Sequence, residues 1–156
     1  MKITCIISEG ENKQRYCVRN SKNLPEVDAL LANVTDRLTQ LVSHLNQKWG
    51  SRDFVKRVVE NFNPNSIQAT MPTDTIVAYT ENKGDKMAFC PTTKKNAGEL
   101  IDLNTLMYVA VHELAHVACE SVGHTGEFWK TFRKMLIEAA RIKIYKPVNY
   151  SIHPVP

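Results

Sequence analysis

The segment His112-Glu-Leu-Ala-His116 joins residue types that bind transition metals to one that moves protons. On a helix, four residues make slightly more than one turn, so the two histidines project from one face about 6 Å apart along the axis. Two imidazoles so placed can share a tetrahedral zinc ion, which takes histidine nitrogen at roughly 2.0–2.1 Å. A catalytic zinc site uses three protein ligands and leaves the fourth position to water, whose pKa falls to roughly 7. Glu113, at the edge of the same face, can take that water's proton as the nucleophile forms. Such a set hydrolyses a peptide bond without a covalent intermediate.

The bland alternative is an ordinary helix surface bearing two salt-bridged histidines by chance. Against it, the segment lies within the apolar runs Leu106-Met-Tyr-Val-Ala-Val111 and Leu114-Ala115. Burial of unpartnered polar groups there would cost several kcal/mol, and a metal accounts for it. A third ligand is required. His124 follows Gly123, where a helix would stop and the chain could turn back toward the ion. Two rivals are nearer in sequence, Cys119 and Glu120. Helix rise argues against Cys119, which would stand about 10.5 Å along the axis from His112. Glu120 is displaced likewise, although some zincins take a glutamate from a following helix. A transition-state oxyanion needs one more donor, for which the tail offers Tyr145, Tyr150 and His153.

The elements that must position these residues can be read in outline. Residues 1–23 carry two β-prone runs, Ile3–Ile7 and Arg15–Val18, separated by Gly10 and polar residues, which suggests a hairpin or two edge strands. Residues 24–62 are helical. Val27, Leu30, Leu31, Val34, Leu38, Leu41, Leu45 and Trp49 follow one helix stripe, with Pro25 in its first turn and Gly50 at its end. A shorter helix, suggested by the packing residues Phe54, Val55, Val58, Val59 and Phe62, stops at Asn63-Pro64. His44 has no partner at ligand spacing and reads as a partly exposed or hydrogen-bonded histidine.

Residues 75–90 read as a β-hairpin with Gly84 free to take positive φ, and the polar 91–101 connection as a loop that could move. The active-site helix is expected over 102–122, capped by Asp102 or Asn104 and buried on most faces. The last helix is expected over 125–143, capped by Thr125 and burying Phe128, Trp129, Phe132, Met135, Leu136 and Ala139, with a tail over 144–156. The whole reads as one domain, 1–156. Its fold class is α+β, a small antiparallel sheet packed against several helices.

Composition bounds the class. With 156 residues, 43% of them hydrophobic, the chain can bury a core without staples. Its four cysteines show no C-x-x-C spacing, which favours free thiols in a reducing compartment. No stretch approaches the roughly 20 apolar residues of a membrane span, so the expectation is an intracellular protein, cytoplasmic or nuclear, with no membrane partner. The net charge of +4 permits nucleic acid without implying it. After His124 six cations, Lys130, Arg133, Lys134, Arg141, Lys143 and Lys146, face only Glu127 and Glu138. Weak nucleic-acid binding through phosphates is the consequence to test, against a merely solvated helix face.

The stretch from Met87 to Phe132 resembles the WLM-type and SprT-type zincin metalloproteases, a group that includes proteases acting on DNA-protein crosslinks. The matching pieces are Met87-Ala-Phe-Cys-Pro91, the helix with His112-Glu-Leu-Ala-His116, and His124-Thr-Gly-Glu-Phe-Trp129. The resemblance implies that His124 is the third ligand and that the Glu-Phe-Trp run seats the next helix against the site. His124 follows His116 by eight residues where WLM members usually have six, an interval that another half-turn of helix would absorb. The whole chain also resembles metallopeptidase-like proteins of large DNA viruses.

The implied function is a zinc-dependent endopeptidase acting on protein or peptide substrates, with His112, His116 and His124 as ligands and Glu113 as base. The alternative is a zinc-stabilised nucleic-acid or protein binding module without proteolysis. Glu113 weighs against that, because a structural site closes its shell with a fourth Cys or His. A helical interaction protein with a chance motif is the third reading.

Overall fold

The computed structural model describes residues 3–7, 15–19, 24–69, 78–91 and 100–148. β1 (Ile3–Ile7) and β2 (Arg15–Arg19) pair antiparallel, from Ile3 opposite Arg19 to Ile7 opposite Arg15. This is the hairpin expected there. α1 (Leu24–Trp49) follows, and the 3-and-4 spacing places Leu31, Val34, Leu38, Leu41 and Leu45 wholly out of solvent. Each such leucine contributes about 1.5–3 kcal/mol of transfer free energy. α2 (Asp53–Asn61) buries Val55 and Val58 and gives way to a 3-10 turn, Pro64–Ser66.

Three more strands form a second sheet: β3 (Ile67–Ala69), β4 (Ala78–Glu81) and β5 (Lys86–Phe89), in the order β3-β5-β4. β4 and β5 are the expected hairpin, of which residues 75–77 lie outside the described ones. In its turn, Gly84 adopts φ +123°. The sheet is mixed rather than purely antiparallel, because β3 pairs parallel with β5, Ile67 opposite Met87. Three residues are too few to show a period, so this strand has no sequence signature of its own. Consecutive Met87, Ala88 and Phe89 are all fully buried, so β5 is covered on both faces, whereas β4 keeps a half-buried edge.

α3 (Leu103–Ala118) starts at the Asp102 cap, whose carboxylate accepts from the Thr105 amide at 2.9 Å and hydroxyl at 2.7 Å. It ends four residues before the expected 122. α4 (Gly126–Arg141) is capped by Thr125, whose hydroxyl accepts from the Phe128 amide at 3.2 Å. It closes in a left-handed cap: Ile144 N–H reaches Ala139 O and Lys143 N–H reaches Ala140 O, each at 3.1 Å, with Lys143 at φ +65°.

The helices and both β3 and β5 supply one hydrophobic cluster that runs from Val27 to Tyr145. Trp129 does not belong to its interior, contrary to expectation, and is 50% exposed. The core stripe of α4 is Phe128, Phe132, Met135 and Ala139, and a neighbour of Phe128 is turned about 100° away from it. His44 is the hydrogen-bonded histidine expected, with Nε2 2.8 Å from Oε1 of buried Glu138. Lys48 donates to that oxygen at 2.9 Å, so His44 and Lys48 fasten α1 to α4, and within α4 Arg141 meets the other oxygen at 3.2 Å. Among the described residues no helix is long and apolar enough to cross a membrane.

Candidate metal centre

α3 presents His112 and His116 on one face, as two residues four apart must be. Burial first, and then the neighbouring imidazoles, hold the His112 pKa down to about 4. His116 is held to about 4 as well, by burial, then His124 and Lys83. Both rings are therefore neutral at physiological pH, with a lone pair to give a metal. His124 comes from the bend between α3 and α4, where Gly123 takes φ +87°. Its Nε2 lies 3.1 Å from that of His112, and one ligand atom from each of the three histidines falls within 4.8 Å of the others. Two nitrogens bound to a tetrahedral zinc would stand about 3.3 Å apart. The donor set fits a metal ion, since three imidazole nitrogens converge on one point at spacings a shared ion would accept.

The floor beneath the histidines is Phe128. Its ring is stacked on His116 at 4.3 Å between centroids and lies 4.9 Å from both His112 and His124. Phe132 meets His112 edge-on at 5.2 Å, and the exposed Trp129 ring stands 5.6 Å from His124. The first turns of α4 thus form the wall that orients three imidazoles.

Glu113 is 6% exposed. Its Oε1 accepts a 2.9 Å bond from the Thr80 hydroxyl of edge strand β4, and its Oε2 lies 3.9 Å from His112 Nε2. Burial raises its pKa, and the Thr80 bond opposes the rise. Histidines and carboxylate line a cavity of about 580 Å³ whose other side is Tyr79, Thr80 and Lys83, with Val122, 85% exposed, also lining it.

Neither rival ligand joins the histidine cluster found among the described residues. Cys119 is buried at the end of α3, its thiol pushed up by burial, and Glu120 is exposed on the bend. The interval to His124 is filled by this bend rather than by another half-turn of helix. Tyr145 is buried, 6.3 Å from Tyr108 between ring centroids, and lines a separate cavity with Arg37 and Lys143. It is absent from the lining of the histidine cavity. Tyr150, His153 and most of the 91–101 loop lie outside the described residues. Thr80 and Lys83 had escaped the sequence reading: they stand 33 and 38 residues from their partners Glu113 and Ser121, and no local pattern marks them.

No protein-family profile matches the chain. Two solved chains of Wss1 from Saccharomyces cerevisiae, one of them a mutant, share its fold with a TM-score of 0.62 in each case. They cover 81% of this chain and 87% and 86% of their own, at 14% and 15% identity, so the α+β fold is what they establish. An uncharacterized protein of Invertebrate iridescent virus 6 is 36% identical over 70 residues, and one of Invertebrate iridescent virus 3 is 40% identical over 68, each match covering 44% of this chain. These two matches span 38% and 41% of the viral proteins. The longest of the three alignments is to an uncharacterized protein of Acanthamoeba polyphaga mimivirus, 32% identical over 151 residues, which covers 94% of this chain and 76% of that protein. Alike along nearly its whole length, the chain belongs to the family of this mimivirus protein.

Proposed function

We propose that the protein is a zinc-dependent endopeptidase that hydrolyses peptide bonds in protein substrates. The observation that carries this is the convergence of His112, His116 and His124 beside a buried carboxylate at the wall of one open cavity. The three histidines would hold the zinc. Bound there, zinc would polarise a water molecule and the scissile carbonyl. Glu113 takes the water's proton at Oε2, while the Thr80 bond on Oε1 keeps the carboxylate aimed. The same oxygen then hands the proton to the leaving amine. A merely structural metal would have no use for a base at an open position.

Metal analysis tests this directly. The purified protein should hold about one zinc per chain. At an excess of about 100-fold over Kd, zinc adds about 2.7 kcal/mol to the folded state. Removing it with a chelator should therefore lower Tm by about 5–10 °C. A protein that purifies without metal and melts identically with and without chelator would sink the proposal.

One observation favours DNA-associated proteins as substrates. Lys130, Arg133, Lys134 and Arg141 are all exposed at helical spacing along α4, and Lys143 and Lys146 follow on the surface. Their charge is partly spent, since Arg141 pairs with Glu138. Fluorescence anisotropy should show micromolar binding to single-stranded and duplex probes alike at about 50 mM salt, falling steeply as salt rises. Absence of binding there would leave substrates selected by the cavity alone.

A further inference from the structure

Between the last turn of α3 and the first of α4, the backbone is held by side chains from α2, from the β4–β5 turn and from α4 itself. Arg57 of α2 donates through Nε to the Ala118 carbonyl at 2.7 Å. Lys83, in the β4–β5 turn, donates to the Ser121 carbonyl at 2.6 Å. Glu127, in the first turn of α4, accepts from the amides of Ser121 at 3.0 Å and Glu120 at 3.3 Å, and from the Ser121 hydroxyl. Arg57 Nη2 lies 3.7 Å from Oε2 of Glu127, and Ser121 Oγ is 2.8 Å from the Thr125 hydroxyl.

Those two amides decide where α3 stops. In a continued helix they would bond to the carbonyls of His116 and Val117, and His124 would lie about 12 Å along the axis from His116, out of reach of any shared ion. Given to a carboxylate instead, they make charge-assisted bonds that are about twice as strong as neutral ones. The Arg57–Glu127 ion pair is half open to water and adds little by itself, so the backbone bonds carry the effect.

We propose that Glu127, with Arg57 behind it, is the positioning residue that ends α3 at Ala118 and folds His124 back onto the other two histidines. It touches neither substrate nor ion. The inference rests on the metal-site reading above and adds which residue sets the third ligand's place.

Three measurements on the full chain test it. Zinc affinity, taken by competition against a chromophoric chelator, should weaken about 10–100-fold in Glu127→Ala. Glu127→Gln keeps one acceptor oxygen and should recover part of that loss. The visible spectrum of the cobalt-substituted protein should change in Glu127→Ala as His124 leaves the ligand set. In metal-free protein the Ser121 amide should exchange faster in Glu127→Ala than in the wild type, and this holds whether or not zinc is the native ion. If Glu127→Ala does not fold, Arg57→Ala carries the same comparison with a smaller loss. Zinc affinity within about twofold of wild type, with an unchanged cobalt spectrum, would overturn the proposal. A wild type that takes no zinc would instead overturn the metal reading itself, and the Ser121 exchange rate would still report whether Glu127 holds the bend.

Discussion

Glu113→Gln should leave the protein folded and zinc-loaded while cutting peptide hydrolysis by about a thousandfold, within the range that general base catalysis supplies. Glutamine has the shape of glutamate, and its carbonyl can still accept the 2.9 Å bond from Thr80. What it lacks is a lone pair basic enough to take a proton from water. The sign of the stability effect follows from burial. A raised pKa means that folding favours the protonated acid, so the ionised form costs stability, and the cost grows as pH rises through the folded pKa. Removing that charge should make the metal-free variant melt no lower than the wild type at neutral pH. Activity assays on a cleavable protein, with zinc content and Tm measured on the same sample, check both halves. Wild-type cleavage by Glu113→Gln would show that some other group is the base.

The largest expected loss of stability is at Gly84. It is buried in the β4–β5 turn at φ +123°, and an added Cβ would stand 2.5 Å from the Asn61 carbonyl oxygen at the end of α2. Backbone strain of about 1–3 kcal/mol adds to a clash that only backbone movement can relieve. Gly84→Ala should therefore lose about 3 kcal/mol or more, a large share of the roughly 5–15 kcal/mol that holds a domain together. The turn also carries Lys83 and leads from Thr80, so the shift should loosen the His124 bend and the hold on Glu113 together. Gly123→Ala is the matched control. It has φ +87° but nothing within 4 Å of the new Cβ, so about 1–2 kcal/mol of conformational cost is all that applies. Urea unfolding of the two variants separates the effects, and equal losses would mean that the contact with Asn61 does not matter.

Most of the helical frame was legible beforehand, because an amphipathic stripe and its caps are local. The buried leucines of α1, the Asp102 and Thr125 caps and the Gly84 turn all fall where periodicity and cap chemistry put them. The end of α3 was not legible. Residues 119–122 have nothing in their own sequence that stops a helix, and the carboxylate that competes for their amides lies beyond them in α4. Trp129 was misjudged for a related reason: apolar character does not say which of two adjacent residues faces the core.

What the sequence determined by itself is the part of the site that obeys helix geometry. His112 and His116 share a face and Glu113 borders it because 3.6 residues make a turn, wherever that helix is packed. The Glu127 bonds that turn His124 back reach only six and seven residues along the chain, whereas the Thr80 bond that holds Glu113 and the Lys83 and Arg57 bonds to the bend were decided by tertiary structure alone. They join segments up to 61 residues apart, and chain-distant side chains acquire a distance only when the core that brings their elements together has formed.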